Sequence, residues 1–481
     1  MASRILLFSF LIVVGFAASD SAQSYPADLK PCQSEPTVLC GKLRVYEDPH
    51  HAAGRTIDLN VVVLPSLGER RFDPLFDIAG GPGVGVTVDL ELFVKEIPQY
   101  REGRDIVLVD QRGTGGSNPL KCDPLPASTS LDEMYPVEYV RQCRKALETH
   151  ADLTKYTTEI AMDDLDAVRK WLGYKKIDLF GLSYGTRAAQ VYARQHSGST
   201  DKIVLMGAIG TYHKMPFYHA PNAQASLDLL LAECEHDDKC HAAFPGIRED
   251  LRSAIKSLRE KPAEVTFTDP KTKAANNYTI RADIFAEQIR KWLYTRDSTQ
   301  SIPFVIHNAA HGNFKPFLTG ALRPSDPGFI ADGMYLSVTC AEDVPFIDVG
   351  EAAKLSRDTI FGDYRVVQQK RACAEWPRGE IGKNYRDRVV SDVPALFLTG
   401  GMDPVTAPAW ADELAKGFKN AVMIRIPEQG HGPGGVSNVE CEDRLIIRFL
   451  SNLSISAPDT ACVATMKADP FMAEPTPQPT Q

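Results

Sequence analysis

The sequence predicts an α/β fold, a doubly wound and mostly parallel sheet with an inserted helical cap. Three observations carry the expectation. Near-continuous Val/Ile/Leu runs of strand length alternate with amphipathic stretches, which suits strands covered on both faces. The alternation stops between about Tyr212 and Asp392, where the pattern is mainly helical, and it resumes at Val393. The chain has 481 residues, 43% hydrophobic and 24% charged, enough to bury a full core.

The elements follow in order. The apolar run Ile5 to Ala18 is 14 residues long, preceded by Arg4 and followed by small residues at Ser19, Ser21 and Ala22. A spanning helix needs about 20 apolar residues, so residues 1–22 read as a secretory signal. No later stretch is long and apolar enough to span a bilayer, and the mature chain is expected to be secreted or periplasmic without stable membrane insertion. Strands are expected at Leu59–Leu64, Leu75–Ala79, Asp105–Val109, Lys176–Phe180, Lys202–Gly207, Ala395–Thr399 and Ala421–Ile426. Helices are expected at Glu159–Leu172, Thr186–His196, Ala223–Glu235, Ile247–Glu260 and Ala282–Leu293. The resulting division is an α/β core over 23–211 and 393–465, a helical cap over 212–392 and a disordered tail over 466–481, whose end is Pro- and Thr-rich.

Charge and cysteine usage narrow the function. Lys plus Arg number 53 against 62 Asp plus Glu, a net charge of −9 with no long basic run, so nucleic acid is not an expected partner. Ten cysteines, an even number without a C-x-x-C pair, point to disulfides in an exported chain rather than to a metal, and no cofactor is expected. Their connectivity is not fixed by sequence. Pairing neighbours along the chain gives 32 with 40, 122 with 143, 234 with 240, 340 with 373 and 441 with 462.

The strongest chemical signal is Gly181-Leu182-Ser183-Tyr184-Gly185 between a strand and an Ala-rich helix. Glycines two before and two after the serine are required where a sharp strand-to-helix turn leaves no room for a Cβ and lifts the hydroxyl to the apex. A hydroxyl needs a base to take its proton and a carboxylate to orient that base. Asp403 follows the Leu396–Gly400 run, His431 stands between Gly430 and Gly432 after another strand, and both come later in the chain. The expected catalytic groups are Ser183 as nucleophile, His431 as general base and Asp403 as the orienting acid. Taken singly, the acid reads as a helix N-cap and the histidine as a loop residue; three in order, each at a strand end, read as a triad. A tetrahedral intermediate also needs N–H donors, here the backbones of Tyr184 and of Gly81 in Gly80-Gly81-Pro82-Gly83. The rival reading of that loop, phosphate binding, lacks both a following G-K-S/T and the G-x-G-x-x-G spacing.

With these motifs the chain resembles the proline iminopeptidase and tripeptidyl aminopeptidase branch of the α/β-hydrolases, serine peptidases that act at a free N-terminus. The resemblance runs over about Leu43 to Leu450 through four segments: Gly80–Gly83, Val109-Asp110-Gln111-Arg112-Gly113-Thr114-Gly115-Gly116-Ser117, Gly181–Gly185, and the Asp403 and His431 segments. It implies that Asp110 and Arg112 are scaffold, paired or hydrogen-bonded. Iminopeptidases usually carry His before the Gly-Gly-Pro-Gly segment, where this chain has Ala79, and secretion, the cysteines and a large cap resemble the tripeptidyl enzymes more.

The activity so implied is release of short peptides, tripeptides by resemblance, with a free-N-terminus peptide as substrate. Burying the substrate ammonium demands a carboxylate near the nucleophile. Glu342 and Asp343, beside Cys340, are the expected amine-binding pair, with Asp332 as the weaker alternative; a solvated acidic loop is the competing reading. A carboxylesterase using the same triad is the second function, separated from the first only by these acids. The oligomeric state is left open.

Overall fold

The computed structural model describes residues 25–51, 53–125, 131–268, 273–323, 329–455 and 457–473. The signal expected over 1–22 lies outside the described residues, as does the end of the tail, 474–481.

Nine strands form one sheet: β1 (Lys30–Pro31), β2 (Leu39–Tyr46), β3 (Thr56–Leu64), β4 (Leu75–Ile78), β5 (Ile106–Val109), β6 (Ile177–Leu182), β7 (Thr200–Met206), and, far along the chain, β10 (Ala395–Gly400) and β11 (Ala421–Ile426). The spatial order is β1-β2-β3-β5-β4-β6-β7-β10-β11, antiparallel through β3–β5 and parallel from β5 onward. Period-2 side chains make the central strands serve two cores at once. Phe76, Val107, Leu179, Leu205 and Phe397 face one layer, whereas Leu75, Leu108, Val204, Met206 and Leu398 face the other. Strands covered this way are mostly apolar, and all seven expected strands are present with ends within three residues.

The sequence reading missed β1 and β2. In β2 only every second residue faces protein, so Leu43 and Val45 alternate with Lys42 and Arg44 and no continuous apolar run exists. It also missed a separate two-stranded antiparallel sheet, β8 (Ala263–Thr268) with β9 (Ala275–Ile280), inside the stretch read as helical.

All five expected helices form, within a few residues at their ends. Between β7 and β10 the chain builds a second core from Leu227, Leu230, Ile255, Phe285, Ile289, Ile306 and Phe317. The later part of this insertion does otherwise: Leu336, Val338, Cys340, Ala372, Trp376 and Tyr385 join the main core beneath the sheet. Packing therefore divides the expected 212–392 cap in two. Each expected cysteine pair is a disulfide, and Cys340–Cys373 ties the Asp332–Glu342 and Tyr364–Glu375 helices together.

The disordered tail expected over 466–481 is corrected for its first residues. Met466 is buried, Ala468 bridges to Val436, Phe471 packs against the second core, and Glu428 accepts from the Ala468 N–H at 2.9 Å. Those contacts bury apolar side chains of this segment against the folded protein. Among the described residues no helix is long and apolar enough to cross a membrane.

Candidate active site

The strand order reverses at β4, with β5 on one side and β6 on the other, and such switch points open a crevice at the C-terminal edge of the sheet. The loop after β4 carries Gly80–Gly83 and the turn after β6 carries Ser183. Ser183 adopts φ 57°, ψ −121° and heads the Tyr184–Gln195 helix. The glycines of the pentapeptide are forced by close backbone approach: a Cβ on Gly185 would lie 2.0 Å from the Ile78 carbonyl oxygen, and one on Gly181 would lie 2.4 Å from that of Gly185.

Asp403 and His431 come from the turns after β10 and β11. Asp403 Oδ1 accepts the Val405 and Thr406 N–H groups, each at 2.8 Å, a turn built by the Asp-Pro-Val-Thr segment. Its Oδ2 accepts from Thr406 Oγ1 at 2.6 Å and lies 2.8 Å from His431 Nδ1. His431 must therefore present Nδ1–H to the acid, which leaves Nε2 as the ring's acceptor. The cap steadies this loop, since the His431 N–H donates to the Tyr294 carbonyl at 2.7 Å and the two rings meet edge to face. Thr406 and Gly207 were not anticipated. A Cβ on Gly207, at φ +63°, would stand 3.2 Å from His431 Cε1, so glycine makes room for the ring. The signal was a glycine closing an apolar strand.

Ser183, His431, Gly81 and Tyr184 all line one cavity of about 1170 Å³. A Cβ on Gly80 would lie 3.2 Å from Ser183 Cβ, so the glycine loop packs directly against the serine. The Tyr184 N–H is in the first turn of its helix, where backbone donors have no intrahelical partner.

Asp110 and Arg112 are scaffold, but they do not pair with each other. Arg112 forms a two-point ion pair with Asp164 at 2.6 and 2.8 Å, while Asp110 accepts from Thr87, Asn60 and the Gly116 N–H. A Cβ on Gly115 would fall 2.2 Å from Asp110 Oδ2, which explains one glycine of that motif.

The expected amine-binding pair is corrected. Glu342 is fully buried and does not line the cavity: Oε1 accepts the Thr158 N–H at 2.7 Å, and Oε2 accepts from Thr158 Oγ1 at 2.8 Å and from Tyr385 Oη. Burial pushes its carboxyl up to about 7, opposed by Arg187 with Nη1 at 3.8 Å. Asp343 does line the cavity, yet Arg187 grips both its oxygens at 2.9 and 3.0 Å and the Met215 N–H adds a third bond at 3.2 Å. At the end of a buried helix, next to an arginine inside the elbow helix, its charge is already paired. Asp332 also lines the cavity and accepts from Tyr139 Oη at 3.1 Å. Among the described residues, Asp250, His307 and His311 are the group whose ligand atoms are close enough to share a cation; none lines the cavity.

The sheet, the strained serine turn and the acid–histidine pair define an α/β-hydrolase. Residues 73–230 match the family model of the alpha/beta hydrolase fold, and residues 358–462 match that of the TAP-like proteins. Both matches, and the relatives that follow, make the chain similar to the proline iminopeptidase and tripeptidyl aminopeptidase branch of that fold. It is 28% identical over 233 residues to the serine protease Hip1 of Mycobacterium tuberculosis, covering 43% of this chain and 45% of that protein, so less than half of Hip1 is matched. It is 27% identical over 478 residues to the tripeptidyl aminopeptidase of Streptomyces lividans, covering 88% of this chain and 83% of that one. A proline iminopeptidase of Xylella fastidiosa is 31% identical over 134 residues, 28% of this chain and 32% of its own length.

Proposed function

We propose that this chain is an extracytoplasmic serine peptidase that releases short peptides, tripeptides foremost, from free N-termini. The observation that carries the reading is the Asp403–His431 pair, 2.8 Å apart, bordering the same cavity as a serine held at φ 57° on a strand-to-helix turn. Ser183 Oγ attacks the scissile carbonyl carbon and its proton passes to His431 Nε2. Asp403 keeps the ring in the required tautomer and offsets the imidazolium. The oxyanion forms against the N–H groups of Gly81 and Tyr184. His431 then returns the proton to the leaving amine, and water repeats the cycle on the acyl-enzyme.

The near-full-length similarity to a tripeptidyl aminopeptidase supports the substrate class, and five disulfides support a location outside the cytoplasm. The test is hydrolysis of tripeptide anilides with free N-termini beside N-acetylated tripeptides, proline anilide and a nitrophenyl ester. Preferential cleavage of the free tripeptide is expected. Turnover of the ester alone would replace the reading with that of a carboxylesterase.

A further inference from the structure

The cavity continues past Ser183 into a chamber between the sheet and the core helices, lined by Asp77, Asp89, Phe93, Tyr100, Glu442 and Asp443. We infer that this chamber, rather than the cap, receives the substrate's N-terminal ammonium, with Asp77 and Glu442 as its principal contacts; the inference rests on the peptidase reading above.

Four carboxyl groups converge here without a cation. Asp77 is 6% and Glu442 3% exposed. Among the described residues the Ile78 N–H is the one donor to Asp77, and neither Glu442 oxygen has a donor in good hydrogen-bond geometry, although the Gln429 amide lies beside it. Burial, then the Asp89 charge, holds Asp77 well above the usual carboxylate range, with only the Ile78 N–H drawing it down. Burial, then Asp443, pushes Glu442 up to about 8, with the Gln429 amide the one opposing neighbour, and burial raises Asp89 to about 6. Asp443 accepts from Tyr100 Oη at 2.9 Å. Unsatisfied carboxyls inside a core are costly, and an ammonium with three donors satisfies several at once.

Depth agrees with substrate length. Asp77 is in register with Phe180, and Ser183 lies three residues beyond it, about 10 Å along the strand at ~3.3 Å per residue. An extended tripeptide spans about 10 Å from its first nitrogen to its third carbonyl. With that carbonyl at Ser183, the ammonium reaches the level of Asp77. The opposite, cap-side wall carries Lys291 together with Arg290 and Arg365, the two arginines facing the Glu287 carboxylate.

The test compares wild type, Asp77→Asn and Glu442→Gln on free and N-acetylated tripeptide anilides, with thermal unfolding verifying that each variant folds. The kcat/KM ratio of free to acetylated substrate is expected to fall at least 10-fold in either variant, mainly through KM of the free peptide. A merely structural role lowers both substrates together, and an unchanged ratio in both folded variants overturns the inference while the peptidase reading stands. A second arm measures inhibition of ester hydrolysis by tripeptide amides. If the wild type cleaves no peptide, yet free tripeptide amides inhibit, acetylated ones do not, and Asp77→Asn abolishes the difference, the chamber stands and the peptidase reading falls. Equal inhibition by both amides in the wild type overturns the chamber.

Discussion

Two groups of buried acids flank Ser183, and they have opposite bonding. On the cap side, Glu342 and Asp343 have four hydrogen-bond donors between them besides the Arg187 ion pairs. On the core side, Asp77 and Glu442 are also buried, yet the Gln429 amide beside Glu442 is the one side-chain donor near either of them. Burial alone therefore says nothing about a ligand. What distinguishes a structural acid from a receptive one is whether the protein has already satisfied it.

The contrast can be broken experimentally. Ser183→Ala has the largest expected effect: turnover falls by at least about 10⁴-fold with thermal unfolding unchanged. That inert variant also permits calorimetry of free and acetylated tripeptides. Arg187→Ala comes next, because it strands Glu342 and Asp343 without their cation inside the core. Urea unfolding should show a loss of about 3–5 kcal/mol, and a loss under 1 kcal/mol would mean the two carboxylates are not paired as described.

Glu442→Gln should act in the opposite sense and only with pH. The native carboxyl is raised to about 8 from the usual 4.5, so the folded state holds a proton that the unfolded chain has released. Its contribution is intact below pH 4.5 and is lost as pH rises through 8. The variant should match wild type at pH 4 and be more stable by about 2 kcal/mol or more at pH 9; parallel stability curves would contradict this. Tyr385→Phe removes one donor from Glu342 while Thr158 and Arg187 remain, and a loss of about 1 kcal/mol is expected from denaturant titration.

Much of this was legible in the sequence. The central strands announced themselves because both faces are buried, and the serine, acid and histidine because each ends such a strand. β2 was hidden because one of its faces meets water and its pattern alternates. Glu342 misled for a different reason: an acid beside a disulfide says where a carboxylate is, whereas its partners Thr158 and Tyr385 lie 184 and 43 residues away. Asp77 escaped notice within Leu75-Phe76-Asp77-Ile78, where a lone acid reads as a blemish in an apolar strand. Its meaning depends on Glu442, which arrives from a helix near the other end of the chain.

The long excursion between β7 and β10 has a consequence for biosynthesis. Ser183 emerges from the ribosome more than 200 residues ahead of Asp403 and His431, and those two reach it only when β10 and β11 add at the sheet edge beside β7. Until then the nascent chain holds a serine with no base to activate it. On the proposed mechanism, the last strands to be made are the ones that complete the catalytic set.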